Sequence, residues 1–553
     1  MINMVDKPLI VQSDLSLLLD VHSPSSEEAR NDLLSFAELI KSPEHVHTYA
    51  VTNISLWNAS SLGVDSEEVL RRLTKWSRYP LPDSVVFHIQ EIGGRFGSIK
   101  LLPYDADNYL LKVEKERFTQ EILANKTLAK LISVCEEGFT IPKYERGTVK
   151  VELIKLNLPV DDQVPLNKGE KLALNFREVS LAGKPFILRD YQRLAANSVL
   201  GDGRPGTGFG TIVLPCGSGK TIVGMEIMTR LATRTLILTT NVAAVHQWMA
   251  EINDKLDIDK ALIGEYTGKL KEIKAITVAT YQVLTWRADK EGDFPHMRLL
   301  REGNWGLIIY DEVHMLPAPV FKITAELQAI YRIGLTATLI REDHREGEVF
   351  SLVGPKRYDV PWSELENQGW IAEALCTEIR VPLPEDLEIP YAVGTKREKY
   401  RIASENRAKI EIVKELIANH SDDFILVIGQ YLDQLKIIAQ ELNAPLITGS
   451  LPNERREELY NLFREGKLRL LVVSKVANFA IDLPDASVAI QVSGTFGSRQ
   501  EEAQRLGRIL RPKQKSSHFY TLVTRYSSEE DFSANRQKFL TEQGYSYRVE
   551  VWQ

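Results

Sequence analysis

The segment VLPCGSGKTIVGM, residues 213–225, joins an apolar run to a stretch with helical spacing. Small residues fill its centre, at the point where the chain would turn from a strand into a helix. Backbone N–H groups of such a turn and of the following helix N-terminus point outward together and favour an anion. The segment therefore predicts an α/β domain with a phosphate-binding loop, and a plain turn rich in small residues is the alternative.

The loop departs from the usual phosphate-loop pattern, which places a further glycine five residues before Gly219. Leu214 occupies that position. In a nucleotide-binding loop, Lys220 is expected to reach the β and γ phosphates, and Thr221 is expected to ligate Mg²⁺. The other loop residues would surround the phosphates, namely Pro215, Cys216, Gly217, Ser218 and Gly219.

A second motif, WGLIIYDEVHML at 305–316, runs from an apolar strand into two acidic residues. Asp311 is expected to hold Mg²⁺ through water, and Glu312 to orient the attacking water as a base. Two solvated acids at a strand end are the alternative, which the presence of the phosphate loop disfavours. His314 would either link the nucleotide site to the next lobe or lie on the surface.

Two later stretches are expected to complete the site. GLTATLIRED, residues 334–343, carries Thr336 and Thr338, whose hydroxyls would bond the two acids and sense hydrolysis. In QRLGRILRPK, residues 504–513, Arg508 and Arg511 lie three apart and hence on one helix face. Opposite a γ-phosphate they would act as arginine fingers, which contribute about 10³–10⁵ in rate. A solvated basic face or an RNA-binding patch is the alternative for this stretch.

Gln192, in LRDYQ at 188–192, is expected to read adenine because its amide group both donates and accepts hydrogen bonds. This residue predicts ATP rather than GTP as the nucleotide, and a helix-capping glutamine is the alternative. A loop and acids in one part of the chain, with arginines near its end, indicate a bipartite site. The cleft of such a site would open and close with hydrolysis.

From about residue 185, short apolar runs alternate with helical stretches, which predicts buried parallel strands joined by helices. A second such series begins near residue 424, so two α/β lobes are expected in tandem after an N-terminal α+β region. In that region, GTVKVELIKL at 147–156 reads as a strand. The expected domains are 1–110, 111–180, 181–355 and 356–553. The strand candidates are GTIVLP, RTLILTT, KAITVATY, WGLIIYDE and YRIGLTAT in the first lobe, and FILVIGQ, APLITG, LRLLVVS, SVAIQVSG and HFYTLVT in the second.

The 553 residues carry a net charge of −7, and 44% of them are hydrophobic. This composition predicts folded domains and disfavours a protein that coats nucleic acid, although a local basic channel stays compatible with it. The sequence contains no apolar run of about 18 residues, so we expect no membrane-spanning helix, and the N-terminus lacks the features of a signal peptide. Three widely spaced cysteines match no metal site or disulfide framework. We therefore expect a reduced, cytoplasmic location.

Taken together, these segments resemble superfamily 2 helicases, and specifically the bacterial form of the XPB family of DNA repair helicases. The resemblance rests on LRDYQ, LPCGSGKT, TYQVL, YDEVHMLPAPVF, LTATLIRED and VANFAIDLPDASVAIQVSGTFGSRQEEAQRLGRILRP. It implies two RecA-like lobes that use ATP and Mg²⁺ to translocate on or unwind DNA in the 3′ to 5′ direction during repair, with a nuclease as partner. We expect the protein to be a monomer.

The resemblance also bears on single residues. Leu214 is normal for this family, whose phosphate loop is a shorter version that ends in G-x-G-K-T. The family match implies that Asp482 lies near nucleotide and DNA. It implies the roles given above for Lys220, Thr221, Asp311, Glu312, Gln192, Arg508 and Arg511.

A DNA groove is expected to run across the tops of both lobes. Most of its contacts would go to phosphate and sugar, because a motor has to ignore sequence. In the connector between the lobes, Arg397, Lys399 and Arg401 would contact phosphates or form a solvated charge run. A double-strand translocase that distorts DNA without separating strands, a nucleotide-switched binding module and an RNA helicase stay open as alternatives. The candidate DNA contacts at strand ends and turns are Asn241, Lys269, Tyr281, Arg341 and Thr495.

Overall fold

The computed structural model divides the chain into two compact units. One unit comprises residues 1–213 with 221–359, and the other comprises residues 214–220 with 360–553. The described residues are 7–41, 45–61, 63–164, 169–200, 208–215, 217–287, 295–296, 303–315, 331–337, 353–354, 356–360, 365–366, 368–370, 374–474, 486–494, 517–542 and 546–552.

A four-stranded antiparallel sheet with four helices begins the first unit. Its elements are β1 (Leu9–Val11), β2 (Ser16–Asp20), α1 (Ser26–Leu33), β3 (Glu38–Lys41), β4 (Val46–Ala50), α2 (Asn53–Ser61), α3 (Ser66–Trp76) and α4 (Asp83–Gly93). The strand order is β1-β2-β4-β3. Helix α3 buries Val69, Leu73 and Trp76, whose spacings of four and three place them on one face. These side chains share a core with Tyr49 of the sheet.

A five-stranded sheet follows in the same unit. Its elements are β5 (Ile99–Pro103), β6 (Asn108–Val113), α5 (Glu116–Ala124), α6 (Leu128–Leu131), β7 (Ser133–Cys135), β8 (Gly138–Pro142), α7 (Arg146–Lys155) and β9 (Asp161–Asp162), with strand order β7-β8-β6-β5-β9. The strand predicted at 147–156 is wrong, because this segment forms most of α7. Its apolar residues fit both periods, and the helix buries Val149 and Leu153, four apart, in a core with Phe118 and Ile122.

The first lobe contains a parallel sheet of seven strands. Its elements are α8 (Asp190–Leu200), β10 (Phe209–Val213), α9 (Lys220–Leu231), β11 (Thr235–Thr239), α10 (Val242–Lys255), β12 (Ile263–Tyr266), β13 (Ile276–Thr280), α11 (Tyr281–Thr285), β14 (Leu307–Asp311), β15 (Tyr331–Thr336) and β16 (Lys356–Asp359). The order is β12-β13-β11-β14-β15-β10-β16. Because β14 pairs with β11 and β15, Asp311 ends a central strand. Because β16 pairs with β10, this sheet extends to Asp359, beyond the boundary expected at 355.

The second lobe contains another parallel sheet of seven strands. Its elements are β17 (Ala374–Val381), α12 (Glu385–Val393), α13 (Lys396–Ser404), α14 (Ala408–Asn419), β18 (Ile425–Gly429), α15 (Leu432–Glu441), β19 (Leu446–Ile447), α16 (Asn453–Arg464), β20 (Leu470–Ser474), β21 (Val488–Gln491), β22 (Ser517–Thr524), α17 (Ser528–Glu542) and β23 (Ser546–Val551). The order is β19-β20-β18-β21-β22-β17-β23. Two parallel sheets in tandem after an N-terminal α+β region confirm the predicted fold class.

The strands predicted for both lobes are all present, and four strands were missed, namely β12, β16, β17 and β23. Three of these lie at sheet edges and lack the continuous apolar run of a strand that is buried on both faces, namely β12 (IGEY), β16 (KRYD) and β23 (SYRVEV). No helix within the described ranges combines the length and the apolar composition that crossing a lipid bilayer requires.

Candidate nucleotide-binding and catalytic site

The phosphate loop follows β10 and ends where α9 begins. Gly217 and Gly219 have φ angles of +79° and +82°, a left-handed conformation that costs other residues roughly 1–2 kcal/mol each. Ser218 is buried, and its hydroxyl donates to the Pro215 backbone oxygen at 2.6 Å, which closes the loop on itself. Lys220 begins α9, and the first N–H groups of a helix lack intrahelical acceptors and suit an anion. This geometry fits a phosphate.

Both oxygens of the Asp311 carboxylate accept hydrogen bonds from neighbouring groups. The Trp248 indole Nε1–H donates to Oδ2 at 2.9 Å, and the Glu312 backbone N–H donates to Oδ1 at 3.0 Å. Within the described residues, no group of three or more His, Cys, Asp or Glu side chains could hold a metal ion. Mg²⁺ nevertheless fits, because it takes one or two protein oxygens and completes its shell with water and phosphate. The oxygens available are those of Asp311 and Thr221.

Glu312 has a φ angle of +48°, which is uncommon for a residue with a side chain. Such strain costs on the order of 1–3 kcal/mol and is concentrated at functional sites. Glu312 Oε2 lies 3.4 Å from Nδ1 of His314, and the same nitrogen lies 2.5 Å from the Thr336 hydroxyl oxygen. His314 is therefore not a surface histidine. It lies buried between Glu312 and Thr336.

Tyr281 is a buried residue that contacts the acidic strand end at Asp311. Its side chain is only 2% exposed, and its hydroxyl donates to the Asp311 backbone oxygen at 2.7 Å. Burial, with the nearby charge of Asp311, raises the pKa of the Tyr281 hydroxyl well above its ordinary value, so the hydroxyl remains a donor. The side chain thus supports the acidic strand end from within the core, and the DNA contact expected of Tyr281 stays a prediction.

Gln192 is buried, and its side-chain oxygen accepts the Arg189 backbone N–H at 3.0 Å. This contact is the helix-capping role that the sequence left open, at the start of α8. Adenine recognition by Gln192 stays a prediction.

Two candidate DNA contacts lie at turns that follow strands of the first lobe. Asn241 caps α10, since its side-chain oxygen accepts the Ala244 N–H at 2.9 Å. The neighbouring Thr240 backbone oxygen accepts from the Gln282 side chain at 2.7 Å, which ties the ends of β11 and β13 together. Lys269 is exposed in the turn after β12. Both assignments stay predictions, and the role of Asn241 as a cap is a structural one.

Several predicted site residues lie outside the described part of the chain. These are Cys216, Thr338, Arg341, Asp482, Thr495, Arg508 and Arg511. Conversely, the sequence did not single out Trp248, which lies on the buried face of α10 with Val245 and Ile252. A tryptophan at that spacing reads as core, and only its indole N–H, which points at Asp311, distinguishes it.

Comparisons with known proteins match most of the chain to helicase and restriction-enzyme families. A family model described as ERCC3/RAD25/XPB C-terminal helicase matches residues 365–551. A model described as type III restriction enzyme, res subunit, matches residues 185–341, and one described as helicase conserved C-terminal domain matches residues 9–134. Among solved structures, the ATP-dependent Type ISP restriction-modification enzyme LlaBIII bound to DNA is similar in fold. Its TM-score is 0.50 and its identity is 12%, over 66% of this chain and 31% of that chain.

Curated relatives match over nearly the whole chain. The protein named DNA 3'-5' helicase XPB of Mycobacterium tuberculosis is 47% identical over 550 residues, which are 99% of this chain and 98% of the relative. The general transcription and DNA repair factor IIH helicase/translocase subunit XPB of Enterocytozoon bieneusi is 31% identical over 572 residues, which are 99% of this chain and 93% of the relative. The chain therefore belongs to the XPB family of superfamily 2 DNA helicases.

Proposed function

We propose that this chain hydrolyses ATP to move along DNA in the 3′ to 5′ direction, and that it remodels or unwinds duplex DNA during repair. The observation that carries the proposal is the strand end at Asp311 and Glu312. Asp311 accepts hydrogen bonds from Trp248 and from the Glu312 backbone N–H, and Glu312, with its positive φ angle, places a carboxylate oxygen 3.4 Å from the buried His314. In a helicase-family chain, this arrangement suits phosphoryl transfer to water, in which positioning supplies most of the catalysis.

The residues of the chain would divide the work as follows. Lys220 and the loop residues 215–219 would neutralise and orient the phosphates. Thr221 and Asp311 would hold Mg²⁺, which when bound shields the negative charge that develops on the phosphate oxygens. Glu312 would align the attacking water and accept its proton, with His314 fixing the carboxylate. The other proposed nucleotide contacts are Gln192 at adenine, Asp482, and the arginine fingers Arg508 and Arg511.

A double-strand translocase that does not separate strands is the second candidate. The stretch that carries the predicted basic residues forms helix α13, after β17 of the second sheet, and Arg401 in α13 is ion-paired with Glu405 and Asp433. This cation is engaged by carboxylates, which supports the solvated charge run over a phosphate contact. An arginine that is held by two carboxylates is less available to bind the phosphates of separated strands.

The ATP turnover rate with no nucleic acid, single-stranded DNA, duplex DNA and RNA tests the proposal. We expect DNA to stimulate turnover and RNA to have little effect. Lys220→Ala is expected to abolish turnover and weaken nucleotide binding, whereas Glu312→Gln should abolish turnover and retain binding. Turnover that DNA does not change would favour a nucleotide-switched binding module. Displacement of a duplex strand, compared with displacement of a triplex strand, separates unwinding from translocation.

We also propose that the protein works as a monomer with a nuclease partner. The support for the nuclease partner is the family resemblance. Light scattering of the purified protein tests the first part. Cleavage of repair intermediates by a co-purified nuclease, with and without this protein, tests the second part.

A further inference from the structure

The buried side chain of Trp248 contacts the strand end at Asp311 from helix α10. The sequence predicted no site residue within this helix, and only its N-terminal cap, Asn241, was a candidate. Trp248 lies in α10, is 2% exposed, and donates its indole N–H to Asp311 Oδ2 at 2.9 Å. Hydrogen bonds to a charged acceptor are stronger than those between neutral groups. The indole is therefore more than a core filler, because its one polar atom is bonded to a carboxylate at the carboxyl end of β14.

A glycine makes room for this indole. Gly224 lies in α9, four residues after Lys220, and a Cβ added there would lie 2.6 Å from Trp248 Cη2 and 3.3 Å from Leu335 Cδ1. Glycine inside a helix is about 1 kcal/mol less favourable than alanine, so its presence there points to a packing requirement. Helix α9, which follows the phosphate loop, therefore packs directly against the Trp248 ring, whose N–H donates to Asp311.

We propose that Trp248 is a positioning residue for the metal-holding carboxylate of Asp311. We also propose that Gly224, which has no side chain, leaves the space in which the Trp248 ring packs. This inference rests on the proposed ATPase function. With the indole in place, both carboxylate oxygens are held, since the Glu312 N–H occupies the other one. Without the indole, the carboxylate loses the donor at Oδ2, and its orientation toward Mg²⁺ is less restricted. Loss of such a supporting partner typically costs 10- to 100-fold in metal affinity or activity.

Trp248→Phe tests the inference because it keeps an aromatic ring and removes the N–H. The measurement is the affinity for ADP by calorimetry, at saturating Mg²⁺ and in EDTA. We expect roughly 10-fold or more weaker binding with Mg²⁺, and unchanged binding in EDTA. The Mg²⁺ concentration for half-maximal ATP turnover should rise by a similar factor. Gly224→Ala should act in the same direction, because the added methyl group displaces the ring and moves its N–H, which is still present, away from Asp311.

Trp57→Phe is the matched control. Trp57 is 5% exposed and donates its indole N–H to the Ile92 backbone oxygen, also at 2.9 Å, in the N-terminal α+β region. It should leave ADP binding unchanged under both conditions. Two outcomes would refute the positioning role. In the first, the Trp248→Phe variant binds ADP in the presence of Mg²⁺ as tightly as the native chain does. In the second, the substitution weakens ADP binding equally with Mg²⁺ and in EDTA. A native chain with neither ATP turnover nor Mg²⁺-dependent ADP binding would instead refute the proposed function.

Discussion

The contact between Thr336 and His314 makes a quantitative prediction for Thr336→Val. Valine keeps the shape of the side chain and removes the hydroxyl that lies 2.5 Å from His314 Nδ1. Both residues are buried, and the same ring nitrogen lies 3.4 Å from Glu312 Oε2. The substitution therefore removes a hydrogen bond that holds the His314 ring, which lies beside Glu312, the proposed catalytic base.

The expected effect on stability and the effect on catalysis are of different kinds. Removing one partner of a buried hydrogen bond costs about 1–3 kcal/mol of folding free energy. A misplacement of about 1 Å at a catalytic group costs up to roughly 10² in rate. For Thr336→Val we therefore expect kcat for ATP about 10- to 100-fold lower, with little change in KM, because the phosphate loop is intact.

Thr211→Val provides a matched control in the neighbouring strand. Thr211 is fully buried in β10, and its hydroxyl donates to the Gly354 backbone oxygen at 3.2 Å. Melting curves should show a similar loss of stability for both variants, whereas steady-state ATP turnover should fall only for Thr336→Val. Equal kcat values for the two variants would refute the reasoning, because the Thr336 hydroxyl would then be a structural group alone.

Two further predictions concern stability. Lys409 is fully buried and ion-paired with Glu529 at 2.9 Å. Lys409→Met should therefore lower the free energy of unfolding, measured by urea denaturation, by about 3–5 kcal/mol. Lys414→Met, at a more exposed ion pair of the same helix, should lower it by less than about 1 kcal/mol. Equal losses would contradict the buried charge. Burial and the positive charge of Arg30 lower the pKa of His47 from its ordinary 6.5 to about 4. Only the unfolded state binds a proton between these pH values, so stability should fall as pH drops from about 6.5 to about 4, and His47→Gln should flatten that slope.

Continuous apolar runs allowed the strands of both lobes to be predicted. A parallel strand covered on both faces needs apolar residues at every position, as in LIIYD at 307–311, and few other structures impose that pattern. Polar edge strands such as β16 carry no such signal. The segment 147–156 was assigned wrongly because Val149 and Leu153 satisfy a spacing of two and also a spacing of four. The partners in the core decided in favour of the helix.

The sequence by itself determined the two tandem α/β lobes, the phosphate loop and the pair Asp311–Glu312, because strand runs, glycine turns and acids at a strand end are local patterns. Only the tertiary structure decided that Trp248 bonds to Asp311, that Tyr281 lies in the core and that His314 lies between Glu312 and Thr336. Three of these contacts join residues that are 22–63 positions apart in the sequence. The fourth joins Glu312 to His314, and the backbone of Glu312 has a positive φ angle that the sequence does not reveal. Periodicity predicts which face of an element is buried, but the direction of a polar group on that face depends on which strand or helix lies opposite.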